Sequence, residues 1–307
     1  MKKFLLAFCL TLVVGFAFSQ QLPLYTQYMM NGFLLNPAIA GSKDYIPIAL
    51  TVRQQWVGIT NAPSTYALSG HAAPFLNKNM GVGGYIYNDR FGPIMRTGLL
   101  ASYAYHLKLD QKHKLAFGVS LSGFQYKIDG EQLTTADPND DAITYQDESK
   151  FIPDANFGAY FYSDRYWAGL SVAQLFQWKA DIGQSVNDNK MVRHYFLTAG
   201  YRIDLTKSVK DFELEPSLLV KATEMRSPMQ LDINLKGYYK KNYWLGFSYR
   251  TQDAVMVLLG VKYQQYYIGY AFDYTLSNIS NYAKGGSHEI MIGINIGEGK
   301  GTGSSLL

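Results

Sequence analysis

Cysteine is almost missing from this chain: among 307 residues only Cys9 carries a thiol. It lies in an N-terminal segment made of Lys2 and Lys3, an apolar run from Phe4 to Phe18, and the small residues Ala17 and Ser19. That layout reads as a secretory signal peptide over residues 1–19, cleaved after Ser19. The apolar run has about fifteen residues where a spanning helix needs about twenty, and Phe8 is too bulky to precede a lipidated cysteine. Cleavage leaves a mature chain without cysteine, which excludes disulfides, thiol catalysis and cysteine-ligated metals.

Charge is also scarce, at 17% of residues, and nearly balanced. Removing Lys2 and Lys3 turns 28 basic against 24 acidic residues into 26 against 24, so nothing in the charge points to nucleic acid. Long apolar runs are lacking too: after Phe18 none approaches the roughly eighteen residues of a membrane helix. The mature chain is therefore either a soluble β protein or a membrane barrel.

What is present decides between these. Aromatic residues reach 15%, with 25 Tyr, and strict alternation runs over stretches of about ten residues, the length of a tilted spanning strand. Ile290, Ile292, Ile294 and Ile296 oppose Glu289, Met291, Gly293 and Asn295; Leu231, Ile233 and Leu235 oppose Asp232, Asn234 and Lys236. The charges share the face that carries Gly and Ser. A soluble sandwich would turn a charge-rich face to water, which 17% charge does not supply. The pattern predicts an all-β fold, a transmembrane antiparallel β-barrel of about fourteen strands over residues 45–297. The first strand begins near Tyr45, the sixth near Pro153 and the last near Ser287. With both barrel ends in the periplasm, connections after even strands should be short. Ser163-Asp164-Arg165, Lys240-Lys241 and Gln264-Gln265 fit that, against longer outer loops over 128–152, 178–190 and 277–286. Tyr160, Tyr162, Tyr166, Tyr238, Tyr239, Tyr243, Tyr263, Tyr266 and Tyr267 flank the short turns and are expected to form one aromatic girdle. Pro216 cannot donate to a ladder, so a bulge is expected there.

Between signal and barrel, residues 20–44 read QQLPLYTQYMMNGFLLNPAIAGSKD. Pro23 and Pro37 interrupt any helix, and the segment is too apolar to float free, so it should cover the lumen, its periplasmic mouth or another protein. A flexible Gly/Ser tail follows the barrel at 298–307.

The leader also carries a motif: Pro23, Tyr25, Gln27, Tyr28, Met29, Asn31, then Asn36, Pro37, Ala38, Ala40 and Gly41. With Arg53-Gln54-Gln55-Trp56, Pro63-Ser64-Thr65-Tyr66, Gly81-Val82-Gly83-Gly84, Asn88-Asp89 and Gly92-Pro93, the chain resembles the PorP/SprF family of type IX secretion-system membrane proteins. The resemblance implies a Bacteroidota outer-membrane component that aids export or surface attachment of secreted adhesins and gliding motility. The partners it implies are periplasmic secretion components with their lipoprotein ring, in some members a large secreted adhesin, and outer-membrane lipid. It implies no cofactor and no catalytic residue. A general porin or hydrophobic-solute transporter is the alternative reading.

Candidate site residues follow. Tyr25, Gln27, Tyr28, Asn31, Asn36 and Pro37 form a partner-docking or plug motif. Arg53, Glu213, Glu215, Asp232, Lys236, Arg250, Lys262, Asp273 and Glu289 point into the lumen, where buried charges need partners; their mixed sign argues against an ion-selective ring. Asp137, Asn139, Asp141 and Glu148 sit at calcium-loop spacing, but Ala142 replaces the required glycine and a solvated acidic loop is the better reading. Ser69 and His71 share a strand face, yet no orienting acid can be placed beside them, so serine hydrolysis is set aside. The five histidines show no metal-ligand spacing. The glycines at 81, 83 and 84 fall in a strand hairpin and indicate close packing or a kink, not a phosphate loop.

Overall fold

A computed structural model of the protein describes residues 22–23, 25–74, 79–133, 146–179, 190–205, 209–224 and 228–298. The expected signal peptide lies outside these residues, as do all but Glu298 of the expected tail.

The first half of the chain forms β1 (Ile46–Gln54), β2 (Ser64–Ala72), β3 (Met80–Phe91), β4 (Ile94–Lys108), β5 (Lys114–Ile128), β6 (Glu148–Tyr162) and β7 (Tyr166–Ala173). The second half forms β8 (His194–Tyr201), β9 (Ile203–Asp204), β10 (Phe212–Thr223), β11 (Gln230–Tyr239), β12 (Tyr243–Arg250), β13 (Ala254–Tyr263), β14 (Tyr266–Thr275) and β15 (Ser287–Ile296). All pair antiparallel with their neighbours, and β15 returns to β1, from Ile46↔Ile296 to Gln54↔His288. β8 and β9 are two pieces of one stave, both paired with β10 in the same register. The fifteen described segments therefore close into a barrel of fourteen staves. Closure leaves no sheet edge, so the backbone groups find partners without water.

Side chains alternate as the period of 2 demands. On β12, Leu245, Phe247 and Tyr249 are exposed on the outside while Trp244, Ser248 and Arg250 are buried inside. Ile290, Ile292 and Ile296 of β15 likewise face out, with Glu289, Met291 and Asn295 within. The apolar exterior suits lipid. The rim where β1 begins and β15 ends carries the short turns 163–165, 240–242 and 264–265, which makes it the periplasmic rim.

Three local expectations are corrected. No bulge forms at Pro216: Glu215↔Lys236, Pro216↔Leu235 and Ser217↔Asn234 run in unbroken register. The missing proline donor shows on the other side as a gap in the β8/β10 pairing, which stops at Ser217↔Gly200 and resumes in the same register at Leu214↔Ile203, while Arg202 N–H stays on the β7 side, on the Arg165 carbonyl at 2.6 Å. The tyrosines do not make one girdle. Tyr239, Tyr243, Tyr263 and Tyr266 face out, but Tyr238 and Tyr267 are buried inside, because adjacent residues on a strand point to opposite faces. Tyr160 and Tyr162 also lie on the inward set of β6, stacked at 5.0 Å. Finally, β6 begins at Glu148, well before Pro153, pairing Ile128↔Glu148. Phe124, Tyr126, Ile152 and Met191 form a small apolar cluster there, where β4, β5 and β6 stay paired beyond the end of β7.

Candidate functional site

The leader fills the lumen. Near the outer ends of the staves, Leu22 N–H meets His194 Nε2 at 3.3 Å. The chain then descends through two short 3₁₀ turns, Gly32–Leu34 and Pro37–Ile39, to enter β1 from the periplasmic rim. Tyr25, Gln27, Tyr28, Met29, Met30, Phe33, Asn36, Ala38 and Ala40 are buried. Cavities of about 70, 50 and 30 Å³ flank it, room for a few waters each.

The upper attachment is ionic. Arg53 and Glu289 are direct cross-strand partners, and Arg53 also meets Asp273 at 2.7 Å. Glu289 accepts the backbone N–H groups of Thr26 at 2.6 Å and Gln27 at 2.8 Å. Thr26 Oγ1 reaches the Asp273 carboxylate at 2.8 Å and accepts from Arg53. Three buried charges are thus satisfied partly by one another and partly by the leader backbone.

Lower down, polar side chains continue the attachment. Tyr28 Oη accepts from Asn234 Nδ2 at 2.7 Å. Lys236 pairs with Glu215 at 2.6 Å, both fully buried, and also reaches the Met29 carbonyl at 3.3 Å. Asn31 donates to Ser69 Oγ at 2.8 Å. Asn36 caps the second 3₁₀ turn, accepting Ala38 N–H at 2.9 Å, while its Nδ2 donates to the Ala159 carbonyl at 3.0 Å. Pro37 starts that turn, where a missing N–H does no harm. His106 Nε2 lies 2.7 Å from the Ala40 carbonyl.

Glycines make the wall fit. A Cβ at Gly81 would overlap the Ala40 carbonyl, one at Gly118 the Ala38 backbone, one at Gly158 the Asn36 side chain, and one at Gly269 the Gln27 side chain. One at Gly83 would come within 2.8 Å of Phe33. Leader backbone at Gly81 and Gly118, and leader side chains at Gly83, Gly158 and Gly269, approach the strands as closely as only glycine permits. Ala38 and Ala40, both with 0% exposure, are small for the same reason.

The remaining candidates fall as follows. Glu213 lies near Arg202 and Lys241, Asp232 pairs with Arg250 at 3.0 Å, and Lys262 pairs with Glu298. Asp89, Arg96, Asp154 and Lys221 are further buried inward charges. Sequence reasoning left them out of the candidate set, though each obeys the same alternation. Ser69 and His71 serve the leader: His71 Nδ1 accepts Gly41 N–H at 3.2 Å and its ring meets Phe33 edge-on at 5.1 Å. Asp137, Asn139 and Asp141 lie outside the described residues, while Glu148 opens β6.

A closed fourteen-stave barrel with an apolar exterior and a lumen occupied by its own N-terminal segment is an outer-membrane β-barrel protein. The family model for the type IX secretion system membrane protein PorP/SprF matches residues 17–294. The chain belongs to that family. No curated protein matches it. Similar solved structures include the Ralstonia pickettii toluene transporter TbuX, at 10% identity and TM-score 0.49, over 86% of this chain and 92% of that one. Others are CymD, a monoaromatic hydrocarbon channel, at 10%, 0.47, 91% and 93%, and a Pseudomonas aeruginosa FadL homologue at 10%, 0.46, 90% and 94%. Likenesses this distant carry no inference about what this barrel binds or passes.

Proposed function

We propose that this protein is a non-conducting, partner-binding component of the type IX secretion system that aids export or surface attachment of secreted proteins such as adhesins. It acts by positioning partners, among them the periplasmic components and lipoprotein ring, and performs no chemistry itself. The observation that supports this over a porin is the leader, buried in the lumen and bonded to Arg53, Asp273 and Glu289. We read Tyr25, Gln27, Tyr28, Asn31, Asn36 and Pro37 as a plug and not a docking face, because most of them are turned to the barrel wall. The accompanying organisation is a signal peptide at 1–19, the leader at 20–44, the barrel at 45–297 and a tail at 298–307.

Affinity purification of the tagged protein from native outer membranes, followed by mass spectrometry, tests the reading. Type IX lipoproteins or a large secreted adhesin should be recovered with it. The barrel alone, under conditions that keep a known secretion complex intact, would sink the proposal. In planar bilayers the purified protein is expected to show no steady conductance; open channels, or solute uptake that survives loss of the secretion machinery, would favour a porin.

A further inference from the structure

At the periplasmic mouth the structure opens into a basin of about 560 Å³, much larger than the cavities beside the leader. Its wall combines the root of the leader, 42–45, with the periplasmic turns after β4 and β6 and the lower ends of β9 and β10. Some of its charges are committed to one another: Glu213 lies 3.4 Å from Lys241 and 4.0 Å from Arg202, and Arg202 also meets Glu215 at 3.3 Å. Four cations, Lys43, Lys112, Lys114 and Arg165, form no ion pair among the described residues. Only two carboxylates in the basin, Asp44 and Asp164, stand in the same condition. The cations come from separate elements: the leader, the β4–β5 turn, the start of β5 and the β6–β7 turn.

We propose that this basin is the docking site for an acidic peptide segment of a periplasmic partner protein. A concave surface with an excess of unmatched positive charge focuses its field into the space it encloses and draws in carboxylates. The volume admits a chain segment and not merely an ion. Burial, with the Arg202 guanidinium close by, pushes the Lys43 ammonium down to about 7, so it is only partly charged near neutral pH and a carboxylate bound in the basin would raise it. Lys43 also borders two of the cavities beside the leader, so a segment bound in the basin would touch the root of the plug. This inference rests on the partner-binding reading above and names the chemistry of one partner.

The test uses the full-length protein in detergent, with fluorescein-labelled octaglutamate as probe and fluorescence anisotropy as readout. Octaglutamate should bind saturably and labelled octalysine should not. Added salt should weaken the binding. The triple variant Lys43→Gln, Lys112→Gln, Arg165→Gln should bind roughly tenfold more weakly, while Lys150→Gln, in β6 near the outer rim, should bind as the parent does. Heat-modifiable gel mobility reports folding. Should the triple variant fold poorly, Lys112→Gln and Arg165→Gln, both exposed on turns, carry the same comparison. Equal binding by parent and basin variants, or equal weakening by Lys150→Gln, would overturn the proposal. Since only purified protein is used, that failure would remove the basin and leave the secretion reading to its own purification experiment.

Discussion

Glu289→Ala is expected to destabilise the protein by about 3–5 kcal/mol, the usual consequence of removing one partner from a buried ion pair. Glu289 is fully buried, and its two oxygens receive the Thr26 and Gln27 N–H groups and, at 3.4 Å, Arg53. Alanine would leave the guanidinium with Asp273 as its one anion, beside the Thr26 hydroxyl, and would leave two backbone donors of the leader inside the lumen without acceptors. Each such donor carries a desolvation penalty of about 1–3 kcal/mol unless water enters, and these penalties make up part of that total. Water can enter only by loosening the leader, so destabilisation and plug release should appear together. Unfolding temperature in detergent, read from heat-modifiable gel mobility, measures the first; conductance steps in planar bilayers measure the second. Glu289→Gln, which keeps one acceptor oxygen, should fall between parent and alanine variant. An alanine variant as stable and as closed as the parent would show that the leader is held elsewhere.

The double variant Gly81→Ala, Gly118→Ala should displace the lower part of the leader. At both positions the added methyl meets leader backbone, at Ala40 and Ala38, which cannot swing aside as a side-chain tip can. Overpacking of this kind costs about 1–3 kcal/mol per site when the surroundings yield. Here the part free to yield is the leader, since the strands are tied on both sides. Gly70→Ala serves as the control. Its Cβ would lie 3.4 Å from its nearest neighbours, an ordinary contact, so stability and conductance should stay near those of the parent. Limited proteolysis in detergent supplies the readout: leader residues should be cut in the double variant and protected in the control. Equal protection in both would mean that the barrel wall, and not the leader, gives way.

Much of the barrel was legible along the chain because lipid and lumen select opposite residue types at successive positions. That selection wrote Ile290, Ile292, Ile294 and Ile296 on one face and Glu289 and Asn295 on the other, and the short turns at 163–165 and 264–265 followed from loop parity. Residue type, unlike alternation, was blind where two environments meet. Near the rim, Tyr238 and Tyr239 look alike in composition, yet one is buried in the lumen and the other faces out. At Pro216 the chain announces a missing donor without saying whether a strand will bulge, and none does: the register is kept on both sides, with only a gap in the pairing opposite.

By itself, then, the sequence determined the strands, their inward faces, the even stave number and the apolar leader that had to cover something. The tertiary structure alone decided where that leader lies and which charges meet. Alternation is a property of adjacent residues, whereas the Thr26–Glu289 contact joins positions 263 apart and the Tyr28–Asn234 contact positions 206 apart. The glycines that seat the leader show the difference most clearly. Gly81, Gly118, Gly158 and Gly269 stand in four different strands, and only closure of the barrel brings them around one segment that each must leave room for.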